Sequence, residues 1–215
     1  MQIILDFGSG NTCKNDKKYI KRMIDELKKV DTGKHEVVIK WQLFKEAGDN
    51  IPLTHDCFDY AYDYAKKLGY KTTASVFDLN SLKFLLQYII PFVKISCRKE
   101  LYYLIDLIPR GIPVYVSYDN RGYLPAHGQY TKLPCISLYP ASIDSYNAAY
   151  RRLNTLTALG SDNHYPGTVS DHTVGLELVK TYRPKIWEKH YKLPDSTGLD
   201  AGSWAITPKE LKEIL

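Results

Sequence analysis

Two histidines in the last third of the chain carry the most chemical information. His172 follows Ser170 by two positions, and His190 follows Glu188 by two positions. Each histidine lies at the end of a short β-type run, and side chains alternate faces along a strand, so each pair shares one face. Two imidazoles and a carboxylate that converge from neighbouring strands form a site for a divalent metal ion with open positions. Ordinary strand-end histidines are the alternative interpretation.

Polar residues recur where the other predicted strands end. Hydroxyls and ammonium groups stand at successive strand ends: Ser75, Ser96, Ser117, Ser137, Lys40 and Lys94. Such groups around one opening would bind a phosphate or a carboxylate through charge-assisted hydrogen bonds from several directions. Asp6, Gln42 and Tyr139 stand at further strand ends. The alternative interpretation is that the serines begin ordinary loops and that the lysines extend into solvent.

Eight short apolar runs, separated mainly by helical patterns, would position these residues. The predicted strands are 2–5, 36–40, 71–76, 91–96, 113–117, 133–138, 166–170 and 185–191. Periodicity and capping residues predict helices over 16–30, 54–68, 81–89, 100–108, 142–159, 174–181 and 208–215. Residues 118–130 contain Gly122, Pro125 and Gly128 without a helical period, which predicts a loop.

The alternation of strands and helices predicts an α/β fold, a compact (β/α)8 TIM barrel with one helix missing after strand five. Barrels of this kind typically have roughly 250 residues, with about 200 near the lower limit. Residues 1–215 would therefore form a single domain. An open doubly wound sheet is the alternative, but no Gly-x-Gly-x-x-Gly run follows a strand, which argues against a dinucleotide-binding fold. In a barrel, functional residues lie at the carboxyl ends of the strands.

The composition narrows the classes of ligand and compartment. The net charge is +5 without a block of lysine or arginine, which favours a small anion over nucleic acid. The four cysteines lie far apart without a Cys-x-x-Cys pair, which predicts neither a zinc site nor a disulfide framework and indicates a reducing compartment. No signal peptide is recognised, and the most apolar segment is too short to span a bilayer. We expect a cytoplasmic protein without nucleic-acid or membrane partners.

The same strand ends resemble motifs of the sialic acid (N-acetylneuraminate) synthases and their relatives that make legionaminic, pseudaminic and spore-coat sugar acids. The resemblance covers nearly the whole chain, through Lys40-Trp41-Gln42, Leu53-Thr54, Ala74-Ser75-Val76-Phe77-Asp78, Val93-Lys94-Ile95-Ser96, Cys135–Pro140, Ser170-Asp171-His172-Thr173, Glu188-Lys189-His190 and Gly198-Leu199-Asp200. The carboxyl-terminal third is the most specific part, because the motifs that contain His172 and His190 match outright.

The resemblance implies condensation of phosphoenolpyruvate with the open-chain aldehyde of an N-acylated hexosamine, an amino-sugar aldehyde, to give a 2-keto-3-deoxy sugar acid and phosphate. It implies that His172 and His190 hold a divalent ion, Mn²⁺ in the first place and Mg²⁺ or Co²⁺ as alternatives, which would polarise the aldehyde. It implies catalytic roles for Glu188, Tyr139 and Asp6. The substrate-binding residues that it implies are Lys40, Gln42, Ser75, Lys94, Ser96, Ser117, Ser137, Ser170 and Asp200.

Several positions depart from the family pattern. Asp6 stands where the family has glutamate, and the histidine that usually follows is absent. An acid expected soon after Ser96 is replaced by Arg98 and Lys99. The chain is expected to be the catalytic barrel only, without the carboxyl-terminal antifreeze-like domain of the family. We therefore expect an altered acceptor sugar, or a homo-oligomer or separate chain that completes the sugar site.

Two other functions stay open on the residues alone. A lyase or aldolase that acts on a sugar acid would use Lys94 or Lys40 to form a Schiff base, which requires a lysine of depressed pKa. A non-catalytic barrel that binds a sugar acid or another protein is the second alternative. It is favoured by the altered end of strand one.

Overall fold

Eight parallel strands form a nearly closed barrel, which confirms the predicted fold class. The computed structural model describes residues 1–45, 49–119, 128–157 and 167–215, and only the backbone of 151–157. The strands are β1 (Gln2–Asp6), β2 (Glu36–Leu43), β3 (Lys71–Val76), β4 (Val93–Ile95), β5 (Val114–Asp119), β6 (Thr131–Cys135), β7 (Thr168–Asp171) and β8 (Ile186–His190). Their order is β6-β5-β4-β3-β2-β1-β8-β7. The two end strands approach each other, since Thr168 Oγ1 donates to Lys132 O and Ala141 N donates to His172 O.

Helices connect the strands on the outside of the barrel. They are α1 (Gly10–Cys13), α2 (Lys17–Val30), α3 (His55–Lys67), α4 (Leu79–Leu85), α5 (Ile143–Thr157), α6 (Glu177–Tyr182) and α7 (Pro208–Leu211), with 3-10 helices at Lys99–Leu107 and Leu199–Ala201. The apolar stripe of α2, Ile20, Met23, Ile24 and Leu27, is fully buried against the sheet. None of the helices within the described residues is both long and apolar enough to cross a membrane.

The predicted helix bounds are wrong at several places. The helix predicted over 81–89 is α4, which begins earlier because the Asp78 carboxylate accepts from Ser81 N at 2.7 Å and caps it. The helix predicted over 100–108 is a 3-10 helix, the helix predicted over 174–181 begins only at Glu177, and the last helix stops at Leu211. The short helix α1, which begins at Gly10 and is capped by Ser9, was not among the predicted helices. The helix predicted to be missing after strand five concerns mainly residues 120–127, which lie outside the described residues.

An apolar floor closes the inside of the barrel beneath the strand ends. Ile4, Val38 and Phe92 form a small buried cluster, separate from the main core between sheet and helices. Each stands two residues before a polar residue on the same face of its strand, namely Asp6, Lys40 and Lys94. The polar groups at the strand ends therefore lie directly above an apolar layer, which limits their contact with water.

A buried ion pair joins β7 to β8 on the face that points away from the barrel interior. Lys189 Nζ lies 3.1 Å from Asp171 Oδ2, and both side chains are fully buried. Trp187 Nε1 donates to Asp171 Oδ2 at 3.0 Å, and Lys189 Nζ donates to Thr173 O at 2.6 Å. Asp171 and Lys189 are also partners in the strand register. The pair fixes the alignment of the two strands next to the histidines that follow.

Candidate active site

A cavity of about 730 Å³ opens at the carboxyl ends of the strands. Every site residue predicted from the sequence lines it: Asp6, Lys40, Gln42, Ser75, Lys94, Ser96, Ser117, Ser137, Tyr139, Ser170, His172, Glu188, His190 and Asp200. The parallel strands bring these residues together because all carboxyl ends meet at one rim of the barrel. Their chemical roles stay predictions.

One side of the cavity is built around a closed charge network. Lys40 Nζ lies 2.6 Å from Asp6 Oδ2 and donates to Ser75 Oγ at 3.1 Å. Gln42 Nε2 donates to Asp6 Oδ2 at 2.9 Å and to Asp200 Oδ1 at 3.0 Å. Burial opposes the charge of Asp6, but Lys40 and His190 outweigh it and lower the pKa of Asp6 to about 2. Both partners of the Lys40–Asp6 pair therefore stay charged.

The second buried lysine of the cavity, Lys94, has a hydroxyl as its nearest partner and a carboxylate further away. Lys94 Nζ donates to Ser117 Oγ at 2.6 Å and lies 3.5 Å from Glu188 Oε1. Burial lowers the pKa of Lys94, because the Glu188 charge does not fully compensate the lost hydration. The buried Ser96 Oγ has no hydrogen-bond partner within the described residues. A buried hydroxyl without a partner beside an under-compensated ammonium group favours binding of an anion.

Glu188 lies between Lys40 and Lys94. Its Oε1 is 3.6 Å from Lys40 Nζ and 3.5 Å from Lys94 Nζ, and it accepts from Ser170 Oγ at 3.4 Å. Burial opposes its charge, but the two lysines outweigh this and lower the pKa of Glu188. The sequence predicted that the Glu188 carboxylate is grouped with the two imidazoles at a metal site. Among the described residues no three His, Cys, Asp or Glu side chains form a group that could hold a metal ion.

The two imidazoles approach each other at the rim. His172 Nδ1 lies 2.7 Å from Ile136 O, so Nδ1 carries the proton and the lone pair of Nε2 faces Ser170 Oγ at 3.4 Å. Burial and the neighbouring His190 lower the pKa of His172 to about 4, which keeps it neutral at pH 7. His190 Nδ1 is buried without a hydrogen-bond partner among the described residues, 3.5 Å from Asp200 Oδ1.

The two imidazoles fit a divalent ion held by two protein ligands. Imidazole nitrogens bind a divalent ion at about 2.1 Å, so two rings that share one ion must lie close together. The ring centroids of His172 and His190 are 5.7 Å apart. The Ile136 carbonyl orients the His172 ring, as carbonyls behind metal-bound imidazoles usually do. The remaining positions of such an ion would be open to water or a substrate oxygen.

Aromatic and further polar residues form the mouth of the cavity. The Tyr139 ring lies 4.2 Å from the His172 ring and 5.4 Å from the Trp204 ring. Burial raises the pKa of both Tyr139 and Asp200, which favours their protonated forms.

The lining residues that the sequence reasoning did not assign to the site are Phe44, Lys45, Asn50, Phe77, Cys97, Arg98, Cys135, Leu199 and Trp204. The period of two along a strand could have found Phe44 after Gln42 and Cys135 before Ser137. Trp204 comes from the segment after β8, where no strand pattern indicates the direction of a side chain.

No protein-family model and no curated protein matches this chain. Solved structures do match. N-acetylneuraminic acid synthetase from Leptospira borgpetersenii superposes with a TM-score of 0.74 at 23% identity, over 99% of this chain and 80% of that chain. This chain has the fold of the sialic acid synthase barrel.

Two further solved structures extend this likeness in fold. The spore coat polysaccharide biosynthesis protein E of Chromobacterium violaceum gives a TM-score of 0.75 at 17% identity, over 99% of this chain and 72% of that chain. A truncated 3-deoxy-D-arabino-heptulosonate 7-phosphate synthase of Thermotoga maritima gives 0.64 at 13% identity, over 100% of this chain and 83% of that chain. The resemblance inferred from the sequence is thus confirmed for the fold, along nearly the whole synthase-like barrel.

Proposed function

We propose that the chain is an enzyme that joins phosphoenolpyruvate to the aldehyde of an N-acylated hexosamine. One water is consumed, and a 2-keto-3-deoxy sugar acid and inorganic phosphate are formed. The observation that carries the proposal is one cavity with an anion-binding side at Lys94 and an imidazole side at His172 and His190. A small double anion needs the first side, and a carbonyl group that must be polarised needs the second. The likeness in fold to a synthetase of N-acetylneuraminic acid supports this class of reaction.

The Lys94 side would bind phosphoenolpyruvate. Lys94 Nζ and the free Ser96 Oγ can both donate to phosphate or carboxylate oxygens, and Ser117 already lies 2.6 Å from Lys94 Nζ. Hydrogen bonds to charged groups each contribute about 1.5–3 kcal/mol. An anion in direct contact would also compensate the ammonium charge better than Glu188 does at 3.5 Å.

His172 and His190 would hold the divalent ion, Mn²⁺ in the first place. When bound, the ion would supply a Lewis acid for the aldehyde oxygen. Burial keeps His172 neutral, and the Ile136 carbonyl fixes its protonated nitrogen, so Nε2 is available as a ligand. Tyr139 packs on His172 and excludes water from one side of the ring.

The remaining side chains would orient substrate and move protons. Glu188 Oε2 is buried without a hydrogen-bond partner among the described residues, so it can accept a hydrogen bond from the water that adds to phosphoenolpyruvate and orient it. Asp200 can accept a hydrogen bond from a sugar hydroxyl and is oriented by Gln42. Asp6 keeps Lys40 charged and in place, and Tyr139 offers a neutral phenol at the mouth.

Phosphate release from phosphoenolpyruvate tests the proposal. We expect release that requires Mn²⁺ and N-acetylmannosamine or a related N-acylated hexosamine, stops with a chelator, and is accompanied by a 2-keto acid detected by mass. Lys185→Met, at the start of β8 and away from the cavity, is the matched control for loss of a lysine. A folded, metal-loaded chain that releases no phosphate with any aldehyde of the panel would contradict catalysis. Binding without turnover would then support the non-catalytic barrel.

Metal affinity tests the ligand assignment separately. Replacing His172 or His190 by glutamine should each lower Mn²⁺ affinity by at least tenfold in calorimetric titration, because each removes one of two protein ligands. His35→Gln, before β2 at the opposite end of the barrel, should bind like the unchanged protein. Unchanged affinity in both cavity variants would show that the imidazoles are not the ligands.

A second candidate function is supported by the lowered pKa of Lys94. A lysine with depressed pKa can form a Schiff base with a keto acid, as a lyase or aldolase would require. Borohydride treatment with pyruvate should give a covalent adduct on Lys94 if this alternative is correct. The synthase reaction predicts no adduct, because Lys94 then acts only as a cation.

The rim of the cavity bears on the expected partner. Leu138, Val174 and Leu199 are more than half exposed around the mouth. A second copy of the chain that covers this apolar rim would complete the sugar site. Light scattering should then give a mass above 24.7 kDa, whereas a monomer with turnover only after addition of another chain would indicate a separate partner.

A further inference from the structure

Two cysteines that the proposed reaction does not use lie together in the wall of the cavity. Cys97 follows β4 by two residues, and Cys135 ends β6. Both line the cavity, and a hydrogen bond joins their side chains. Cys97 Sγ also accepts from Asp119 N at 3.0 Å and from the side chain of Ser137. We call Cys97 and Cys135 the thiol pair.

The donors around Cys97 stabilise its thiolate. The hydrogen bond from Cys135 is the largest contribution and, with those from Ser137 and Asp119, outweighs burial and lowers the pKa of Cys97 to about 6. The same bond, together with burial, raises the pKa of Cys135 and keeps it protonated. The thiolate is the nucleophilic form of cysteine, so the two members of the pair have different chemistry. Cys97 is only partly buried, and a small molecule in the cavity can reach it.

The chain contains a second pair of neighbouring cysteines that differs in each of these respects. Cys13 and Cys57 are buried in the helical layer, 0% and 3% exposed. Burial raises the pKa of Cys13 to about 12, and neither residue lines the cavity. All four thiols are free. The second pair is therefore an internal reference for reactivity.

We propose that Cys97 is a peroxide-reactive thiol and that Cys135 resolves it as a disulfide. The Cys97 thiolate attacks one oxygen of hydrogen peroxide, the O–O bond breaks, and hydroxide leaves, so that Cys97 becomes a sulfenic acid. The Cys135 sulfur then attacks the Cys97 sulfur, an S–S bond forms, and the sulfenic oxygen leaves as water. The two cysteines lose two electrons in total, and with one proton for the hydroxide the peroxide is reduced to two waters.

The disulfide would change the shape of the cavity. Bonded sulfurs stand about 2.05 Å apart, closer than hydrogen-bonded ones, so the residues after β4 would be drawn towards the end of β6. Ser96 directly precedes Cys97, and Ser137 loses the sulfur that it donates to. Oxidation would thereby disturb the anion-binding side of the cavity. This last consequence rests on the proposed function, whereas the reactivity of the thiol pair does not.

Thiol counting on the full chain tests the proposal. After limited treatment with hydrogen peroxide and denaturation, two of the four thiols should be lost. Peptide mass analysis should show a Cys97–Cys135 cross-link that dithiothreitol reverses, while Cys13 and Cys57 still react with iodoacetamide. Four remaining thiols, or equal oxidation of both pairs, would overturn the proposal.

Single variants separate the two roles. Cys97→Ser should keep its remaining thiols under the same treatment. Cys135→Ser should stop at a sulfenic acid on Cys97, trapped by dimedone. Cys57→Ser, in the reference pair, should still lose two thiols. A sulfenic acid that persists on Cys97 in the unchanged protein would show that Cys135 does not resolve it. Because none of these measurements uses phosphate release, failure here is distinguishable from failure of the proposed function.

Discussion

The two buried lysines of the cavity, Lys40 on β2 and Lys94 on β4, have different surroundings. Lys40 Nζ lies 2.6 Å from the Asp6 carboxylate, whereas Lys94 Nζ contacts the Ser117 hydroxyl and stands 3.5 Å from Glu188. Burial opposes both charges. At Lys40 the carboxylates outweigh it and raise the pKa, but at Lys94 burial prevails and lowers the pKa. We infer that Lys40 neutralises charges of the protein itself, while Lys94 is available to an anionic ligand.

Removal of the Lys40 ammonium group should have the largest effect on stability. Lys40→Met leaves the buried Asp6 without its closest counterion, and breaking a buried ion pair in this way costs about 3–5 kcal/mol. Urea unfolding followed by circular dichroism measures the loss. The double variant Lys40→Met/Asp6→Asn should recover much of it, because the uncompensated charge is then gone. If the Lys40→Met variant is as stable as the unchanged protein, the ion pair of Lys40 and Asp6 does not stabilise the fold.

The corresponding change at Lys94 should affect binding more than stability. Lys94→Met is expected to weaken binding of phosphoenolpyruvate by roughly 10- to 100-fold, since a charge-assisted hydrogen bond is lost. Calorimetric titration measures the affinity, and urea unfolding of the same sample should show a smaller loss than Lys40→Met. Equal destabilisation by both variants would mean that the two lysines play the same structural role.

The dependence of stability on pH should report the Asp6 side. The pKa of Asp6 is lowered from 3.8 to about 2 in the fold, so its contribution is present above the ordinary value and is lost as the pH falls from about 4 to about 2. The linkage amounts to about 2 kcal/mol. Unfolding free energies at several pH values should therefore fall less steeply in Asp6→Asn than in the unchanged protein. Parallel curves would contradict the strong pairing with Lys40.

The serines that contact the two lysines should give the smallest effects. Ser117→Ala removes the hydroxyl 2.6 Å from Lys94 Nζ and should weaken phosphoenolpyruvate binding by about 1 kcal/mol, roughly fivefold. Ser75→Ala removes the hydroxyl that accepts from Lys40 and should change this affinity less. Calorimetric titration of both variants with phosphoenolpyruvate measures the two affinities. A larger loss in Ser75→Ala would place the anion on the Lys40 side instead.

Strand ends were predictable because the pattern of a strand specifies which residues share a face, and a parallel barrel brings every carboxyl end to one rim. The pattern therefore predicts that Lys40, Lys94 and the two histidines line one cavity. The ion pairs of Glu188 with Lys40 and Lys94 were not predictable from the sequence. Glu188 stands two residues before His190, and this spacing suggests instead that both side chains bind the same metal ion.

Side-chain contacts between residues on either side of an intervening strand were also not predictable from the sequence. Cys97 and Cys135 are separated by the whole of β5, so their spacing indicated isolated thiols. Local geometry also limited the helix predictions. An apolar period does not distinguish the 3-10 helix Lys99–Leu107 from an α-helix, because both fit a short stretch of this kind.

The buried pair of Asp171 and Lys189 has a consequence for assembly of the barrel. Neighbouring side chains on a strand point in opposite directions, so a slip of β8 by one residue would turn Lys189 into the cavity and His190 into the apolar outer layer. Asp171 would then be sealed away from water with no positive charge beside it. Misaligned barrels are therefore less stable, and a salt bridge without a chemical role keeps the His190 imidazole on the cavity side of β8.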